Sequence, residues 1–309
     1  MRARAPGKIV LSGAYAVLEG APSIVAAVDR AVVADASLAA PLVTDEVRAA
    51  IEAGVIERAP WFDASALRTS LPDGTSRKLG LGSSAAIVVA SIAAASGERL
   101  PRAPSGSLAD AVFPAAYAAH RRAQPGGSGI DVAASAYGGV ITATIREGGL
   151  DVAPHRLPEG TVVEVFASPV SASTGDLIRK VRAFAAADEA RYRRLLDAAA
   201  RGSEAAKAAT TTTAMVAAIV AQLDALAELG DLSGAGIVTP EAAALRPEAA
   251  AEGATFGPSG AGGGDIAVYI GRSRSSERLR NLAQTHRYTL LDLAIGAPGV
   301  SAIPPEIRP

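Results

Sequence analysis

A chain of 309 residues, 49% of them hydrophobic, has the material for one large core or two ordinary ones. Thirty basic residues against 31 acidic ones leave a net charge of −1, which offers no electrostatic hold on nucleic acid or an anionic membrane. With no cysteine, disulfides and thiolate metal sites are excluded, and a reducing compartment fits. The opening "MRARAPGKIVLSGAY" lacks the long apolar segment of a secretory signal, and no run approaches the ~20 apolar residues of a membrane span. The expectation is a cytoplasmic protein with neither nucleic acid nor membrane as partner. The four lysines, at 8, 78, 180 and 207, stand out in a chain whose basic residues are otherwise arginine.

In chain order, "GKIVLSG" (7–13) reads as a short strand entering a glycine turn. "SIVAAVDRAVVADASL" (23–38) is β-branched and apolar, and reads as one or two strands. The stretch 75–84 is a loop, and Ser83 or Ser84 caps a helix over 84–95. Residues 107–123 have helical spacing, with a kink or break at Pro114. "QPGGSGIDVAASAYGG" (124–139) is a second glycine-serine turn feeding a short helix, and 139–145 returns as a strand. A strand at 161–170 opens the second half. Helices follow at 174–200, 203–229 and 240–251, then a glycine loop and strand within 255–270, a helix at 274–285 and a strand at 287–293. The Gly-, Pro- and charge-rich stretch 146–160 is the expected boundary, giving domains 1–157 and 158–309, each α+β.

Four motifs carry candidate chemistry. "GLGSSA" (80–85) fits the loose dinucleotide pattern G-x-G-x-x-A, but "DGTSRK" precedes it where that fold needs a buried strand, and no Walker sequence is present. It reads either as a capped helix start or as a phosphate loop. In the second case one serine caps while the other meets a phosphate oxygen or Mg²⁺. "PSGAGGGD" (258–265) is a linker or a loop admitting close approach of a ligand. Asp131 sits in the first turn of its short helix, where it complements the dipole or points into a site. Lys8, behind Pro-Gly, is a solvated edge-strand lysine or a site cation.

The order of these motifs resembles the GHMP kinase superfamily, which includes galactokinase, homoserine kinase, mevalonate kinase and phosphomevalonate kinase. "GKIVLSGAYAVLEG", "AHRRAQPGGSGIDVAASAYGG", "SASTGDLIRKV" and "PSGAGGGD" most resemble the phosphomevalonate kinase branch. Ala14 stands where many bacterial relatives have Glu, and His120 roughly where mevalonate kinases carry a Mg²⁺-binding Glu. The resemblance implies an α+β, two-domain fold, with an N-terminal domain of ribosomal-protein-S5 type and a ferredoxin-like C-terminal domain. It implies ATP and Mg²⁺ as cofactors and 5-phosphomevalonate as the small-molecule acceptor. By the same resemblance Lys8 and Asp131 are catalytic, and Gly80, Leu81, Gly82, Ser83, Ser84 and Ala85 hold ATP. Ser84 also meets the metal. Lys8, Tyr15, Ser128, Gly129, Ser173, Thr174, Ser259, Gly260 and Ala261 contact the acceptor. Mevalonate kinase, another small-molecule kinase of the superfamily, and a non-catalytic ligand sensor stand as alternatives, with a dinucleotide oxidoreductase more remote.

Overall fold

The apolar run after residue 22 forms a single long strand, Ser23–Ala39, in keeping with its β-branched content. The computed structural model describes residues 1–70, 76–96, 100 and 105–304. Two compact units interleave along the chain. The first comprises Met1–Ile9, Val25–Ile141 and Ala294–Pro309, and the second Val10–Ile24 and Thr142–Leu293. The expected boundary stretch 146–160 itself carries a strand, Gly149–Pro154.

In the first unit, Ser301–Ile303 pairs with the start of strand Arg2–Ser12, and Pro60–Asp63 pairs with strand Ser23–Ala39, the two long strands lying side by side. The C-terminal strand was not legible in its sequence. It is short, and its register is set by its partner, with Arg2 opposite Ile303. A helix at Asp45–Glu52, also unexpected, is capped by Thr44 Oγ1, which accepts from Val47 N–H at 3.4 Å. Helix Ser83–Ala95 is apolar all round, with eleven of its thirteen residues buried, so it forms the centre of the unit. Helix Leu108–Ala123 runs through Pro114 without the expected break. Proline there removes one intrahelical bond, while the neighbouring Phe113 ring is held against Tyr117 and Tyr137 at centroid distances of 5.6 and 5.2 Å.

The second unit is built on an antiparallel sheet in the order Thr289–Leu290, Val162–Ala167, Ile266–Gly271, Thr255–Pro258. Only two residues of the expected 287–293 strand pair. Phe166, Phe256 and Tyr288 stack edge to face behind the sheet, at 5.3 and 5.4 Å between centroids. The two long helices expected over 174–229 are three: Thr174–Ala187, Glu189–Ala208 and Thr212–Ser233. Asp188 makes the first break, because its carboxylate accepts the N–H of Arg191 at 3.0 Å and starts a new helix. Thr212–Ser233 corrects the expectation that no run nears a membrane span, having 22 residues and a mean hydropathy of 1.4. Its residues Met215, Ile219, Leu223, Leu226 and Leu229 are buried in the unit, which accounts for that composition as a core helix.

Candidate active site

The opening strand and the glycine loop are fastened together in the first unit by the Lys8 N–H, which donates to the Leu81 carbonyl at 2.8 Å. Gly80 and Gly82 have φ of 74° and 75°, a left-handed conformation that side chains resist. Leu81 and Ala85 are buried, so their side chains anchor the loop. Helix Ser83–Ala95 starts from Gly82 and has no side-chain cap, contrary to the expectation that Ser83 or Ser84 would cap it. Ala86 is the residue whose N–H closes the first turn, onto the Gly82 carbonyl at 3.1 Å. The N–H groups of Ser83, Ser84 and Ala85 therefore form an open positive end. Ser83 is buried, while Ser84 is half-exposed beside them.

The side chain of Lys8 runs over this loop. A Cβ built on Gly82 would lie 2.9 Å from both Cγ and Cε of Lys8. Glycine is favoured at position 82 by its φ, and any side chain there would also have to displace the lysine stem that crosses it. A cation is set beside uncapped N–H groups, an arrangement suited to a polyanion.

Asp131 lies in the first turn of helix Ile130–Tyr137, which starts at Gly129 (φ 74°), again without a side-chain cap. Its Oδ1 accepts the N–H of Val132 at 3.0 Å and lies 3.7 Å from His120 Nε2. The preceding turn is held by Gly127 N–H to the Gln124 carbonyl at 2.9 Å and by Arg121 donating to the Gly127 carbonyl at 3.1 Å. Ser128 is half-buried in this turn, and Gly129 is buried against the Tyr117 ring.

The remaining expected contacts belong to the second unit. Tyr15, 7% exposed and at φ 58°, donates its hydroxyl to the Ala261 carbonyl at 2.8 Å, and burial pushes its phenol well above the ordinary range. Ser259 Oγ accepts the Val10 N–H at 2.8 Å and donates to the Val10 carbonyl at 3.0 Å. Both side chains are spent on backbone. Ser173 caps helix Thr174–Ala187 and, with Thr174, is exposed. Asp265 was not singled out in the sequence. At φ 55° it takes the Val170 carbonyl at 2.7 Å and the Ser168 N–H at 2.8 Å, tying segment 168–170 to the glycine loop. An aspartate ending a glycine run is the signal that marks it, since Asp tolerates the left-handed region.

A family model described as "GHMP kinases N terminal domain" matches residues 47–139, the stretch that contains both the Gly80–Ala85 loop and Asp131. A Lin0012 protein from Listeria innocua superposes with a TM-score of 0.81 at 23% identity, covering 97% of this chain and 99% of that one. This chain carries the GHMP kinase N-terminal domain on the GHMP kinase fold. Streptococcus pneumoniae phosphomevalonate kinase in complex with phosphomevalonate and AMPPNP shares that fold, with a TM-score of 0.74 at 15% identity over 96% of this chain and 99% of its own. In sequence, the phosphomevalonate kinase of Streptomyces sp. (strain CL190) is 31% identical over 235 residues. The match takes in 67% of this chain but only 61% of that relative's length.

The geometry also bears on metal binding. Among the described residues no three His, Cys, Asp or Glu side chains cluster as a metal site. Ser84 Oγ, half-exposed at the open helix start, is a hard oxygen of the kind that would fit Mg²⁺.

Proposed function

We propose that this chain transfers the terminal phosphoryl group of ATP to 5-phosphomevalonate, giving ADP and 5-diphosphomevalonate. The observation that carries the reading is the Lys8 stem lying across Gly82 at the start of an uncapped helix. That arrangement supplies a charge and several N–H donors at one place, as phosphoryl transfer requires. The acceptor is supported by the Streptomyces relative, whose name is phosphomevalonate kinase, and by the stretch from His120 to Gly139.

In this reading the N–H groups of Gly82 to Ala85 bind the ATP phosphates, and Ser84 would hold Mg²⁺. The ion, when bound, neutralises charge on the phosphate oxygens. An oxygen of the acceptor phosphate attacks the γ-phosphorus, and the bond from that phosphorus to the bridging oxygen breaks, leaving ADP. Lys8 offsets the charge that builds along this line. The acceptor is a phosphate monoester with a second pKa near ~6, so at neutral pH it is mostly dianionic and has no proton to give up. Asp131 therefore orients Lys8 and the acceptor rather than acting as a base. Ser128 and the backbone of Gly129, in the same unit as Lys8 and Asp131, serve as acceptor contacts. Tyr15 and Ser259 hold the Gly260–Ala261 loop in shape within the second unit.

The test is incubation with Mg-ATP and a panel containing 5-phosphomevalonate, mevalonate, homoserine and galactose, with product masses read directly. Diphosphomevalonate as the main product supports the reading. Turnover of another acceptor alone, or of none, overturns it.

A further inference from the structure

Tyr117 and His120 stand three residues apart on helix Leu108–Ala123, so they share a face. Both rings press on the turn that leads to Asp131. A Cβ on Gly129 would run into the Tyr117 ring, and one on Gly127 would meet His120 Nε2 at 3.2 Å. The glycines at these two positions make room for the two rings, and the backbone they shape delivers Asp131.

His120 is an unusual choice for that place. Its side chain is 3% exposed, and its Nδ1 is buried without a hydrogen-bond partner. A stranded polar atom is destabilising, and an apolar side chain of similar size would fill the space without one. What histidine adds is Nε2, 3.7 Å from Asp131 Oδ1. A neutral imidazole has one ring hydrogen. On Nε2 that hydrogen faces the carboxylate and leaves Nδ1 as a bare acceptor, which strands less readily than an N–H. At 3.7 Å the contact is electrostatic rather than a hydrogen bond. Such contacts commonly tighten when substrate binds. Oδ1 is also the atom that accepts the Val132 N–H, so both interactions fall on one oxygen.

We infer that His120 is a positioning residue for Asp131. It fixes Oδ1 together with the Val132 N–H and turns Oδ2 toward the reacting groups. The inference deepens the kinase reading above and rests on it. Arg121 and Glu46 are engaged with other groups: Arg121 donates to the Gly127 carbonyl, and Glu46 accepts from Gln124 at 2.7 Å.

The experiment compares His120→Leu, His120→Gln, Asp131→Asn and the double variant His120→Leu/Asp131→Asn in steady-state kinetics with Mg-ATP and 5-phosphomevalonate. His120→Leu is expected to lower kcat by roughly 10-fold or more, the scale on which loss of an orienting partner registers, with the KM for ATP nearly unchanged. His120→Gln keeps an N–H donor of similar reach and is expected to recover most of the loss. In the Asp131→Asn background, His120→Leu is expected to cost less than about twofold, because the partner it acts through is already altered. Equal activity of His120→Leu and wild type, failure of glutamine to rescue, or additive losses would each overturn the role. A second readout does not depend on turnover: the ¹⁵N signals of the His120 ring in the folded protein. Asp131→Asn is expected to move the Nε2 signal, and an unmoved signal would overturn the pairing. A wild type inactive on 5-phosphomevalonate whose Nε2 signal still responds to Asp131→Asn would overturn the acceptor assignment and leave the pairing supported.

Discussion

The stem of Lys8 crosses the α-carbon of Gly82 so closely that a methyl group there would sit 2.9 Å from two of the lysine's carbons. The same glycine has φ 75° and begins the central helix of its unit. Gly82→Ala should therefore do two separable things. The left-handed backbone should cost about 1–2 kcal/mol of stability. The displaced lysine should weaken ATP binding and turnover together. Thermal melts and an ATP titration check this, and unchanged ATP affinity in a destabilised protein would show that the contact is only packing.

Lys8 itself is half-buried, and its backbone N–H, not its side chain, makes the bond to Leu81. Lys8→Ala should keep the fold and lower kcat by roughly 10²-fold or more, as loss of a transition-state charge contact does. Lys8→Arg should recover little, since a planar fork does not replace a compact ammonium on a stem fitted to a glycine. Near-normal kcat in a folded Lys8→Ala protein would remove Lys8 from the chemistry.

Ser259→Ala is a test of structure against substrate contact. Oγ is donor and acceptor to the two backbone groups of Val10, so its removal strands both. The expected result is a stability loss of about 1–3 kcal/mol in a denaturant melt, since both groups are part-buried. The KM for the acceptor should change little at a temperature where the variant is folded. A large KM increase with stability intact would make Ser259 a substrate ligand instead.

Where local chemistry decides an element, the sequence shows it. The glycines at 80 and 82 gave the loop, the β-branched run gave Ser23–Ala39, and the all-apolar 83–95 stretch gave the central helix. What stayed hidden depends on partners distant in the chain. Ser301–Ile303 is a strand only because Arg2–Arg4 lies beside it. Asp188 breaks a helix through a side-chain bond that composition cannot distinguish from an ordinary helical aspartate. Lys8 and Asp131 were visible as candidates, but the stem on Gly82 and the imidazole beside Asp131 follow from packing across many residues. Tyr15 and Ser259 drew attention for their position in motifs, and the structure shows their polar atoms engaged with main chain.

His155 gives a pH prediction. Burial, with Lys207 nearby, holds its imidazole below the ordinary value, and its Nε2 has no partner. Below about pH 6.5 the unfolded chain binds a proton at this residue that the folded chain resists. Stability should then rise with pH through the window between the folded and unfolded values, and fall as pH drops through it. His155→Gln removes the titration. Its Tm should decline less than that of the wild type between about pH 7.5 and about pH 5.5. Equal declines would show that His155 does not contribute.

The most direct measurement is kcat/KM for wild type and Asp131→Asn, each with 5-phosphomevalonate and with mevalonate under saturating Mg-ATP. A phosphate acceptor needs no proton removed, whereas an alcohol does. The expected result is efficient use of 5-phosphomevalonate by the wild type, with Asp131→Asn keeping part of that activity. Efficient phosphorylation of mevalonate with none of 5-phosphomevalonate, abolished by Asp131→Asn, would contradict it.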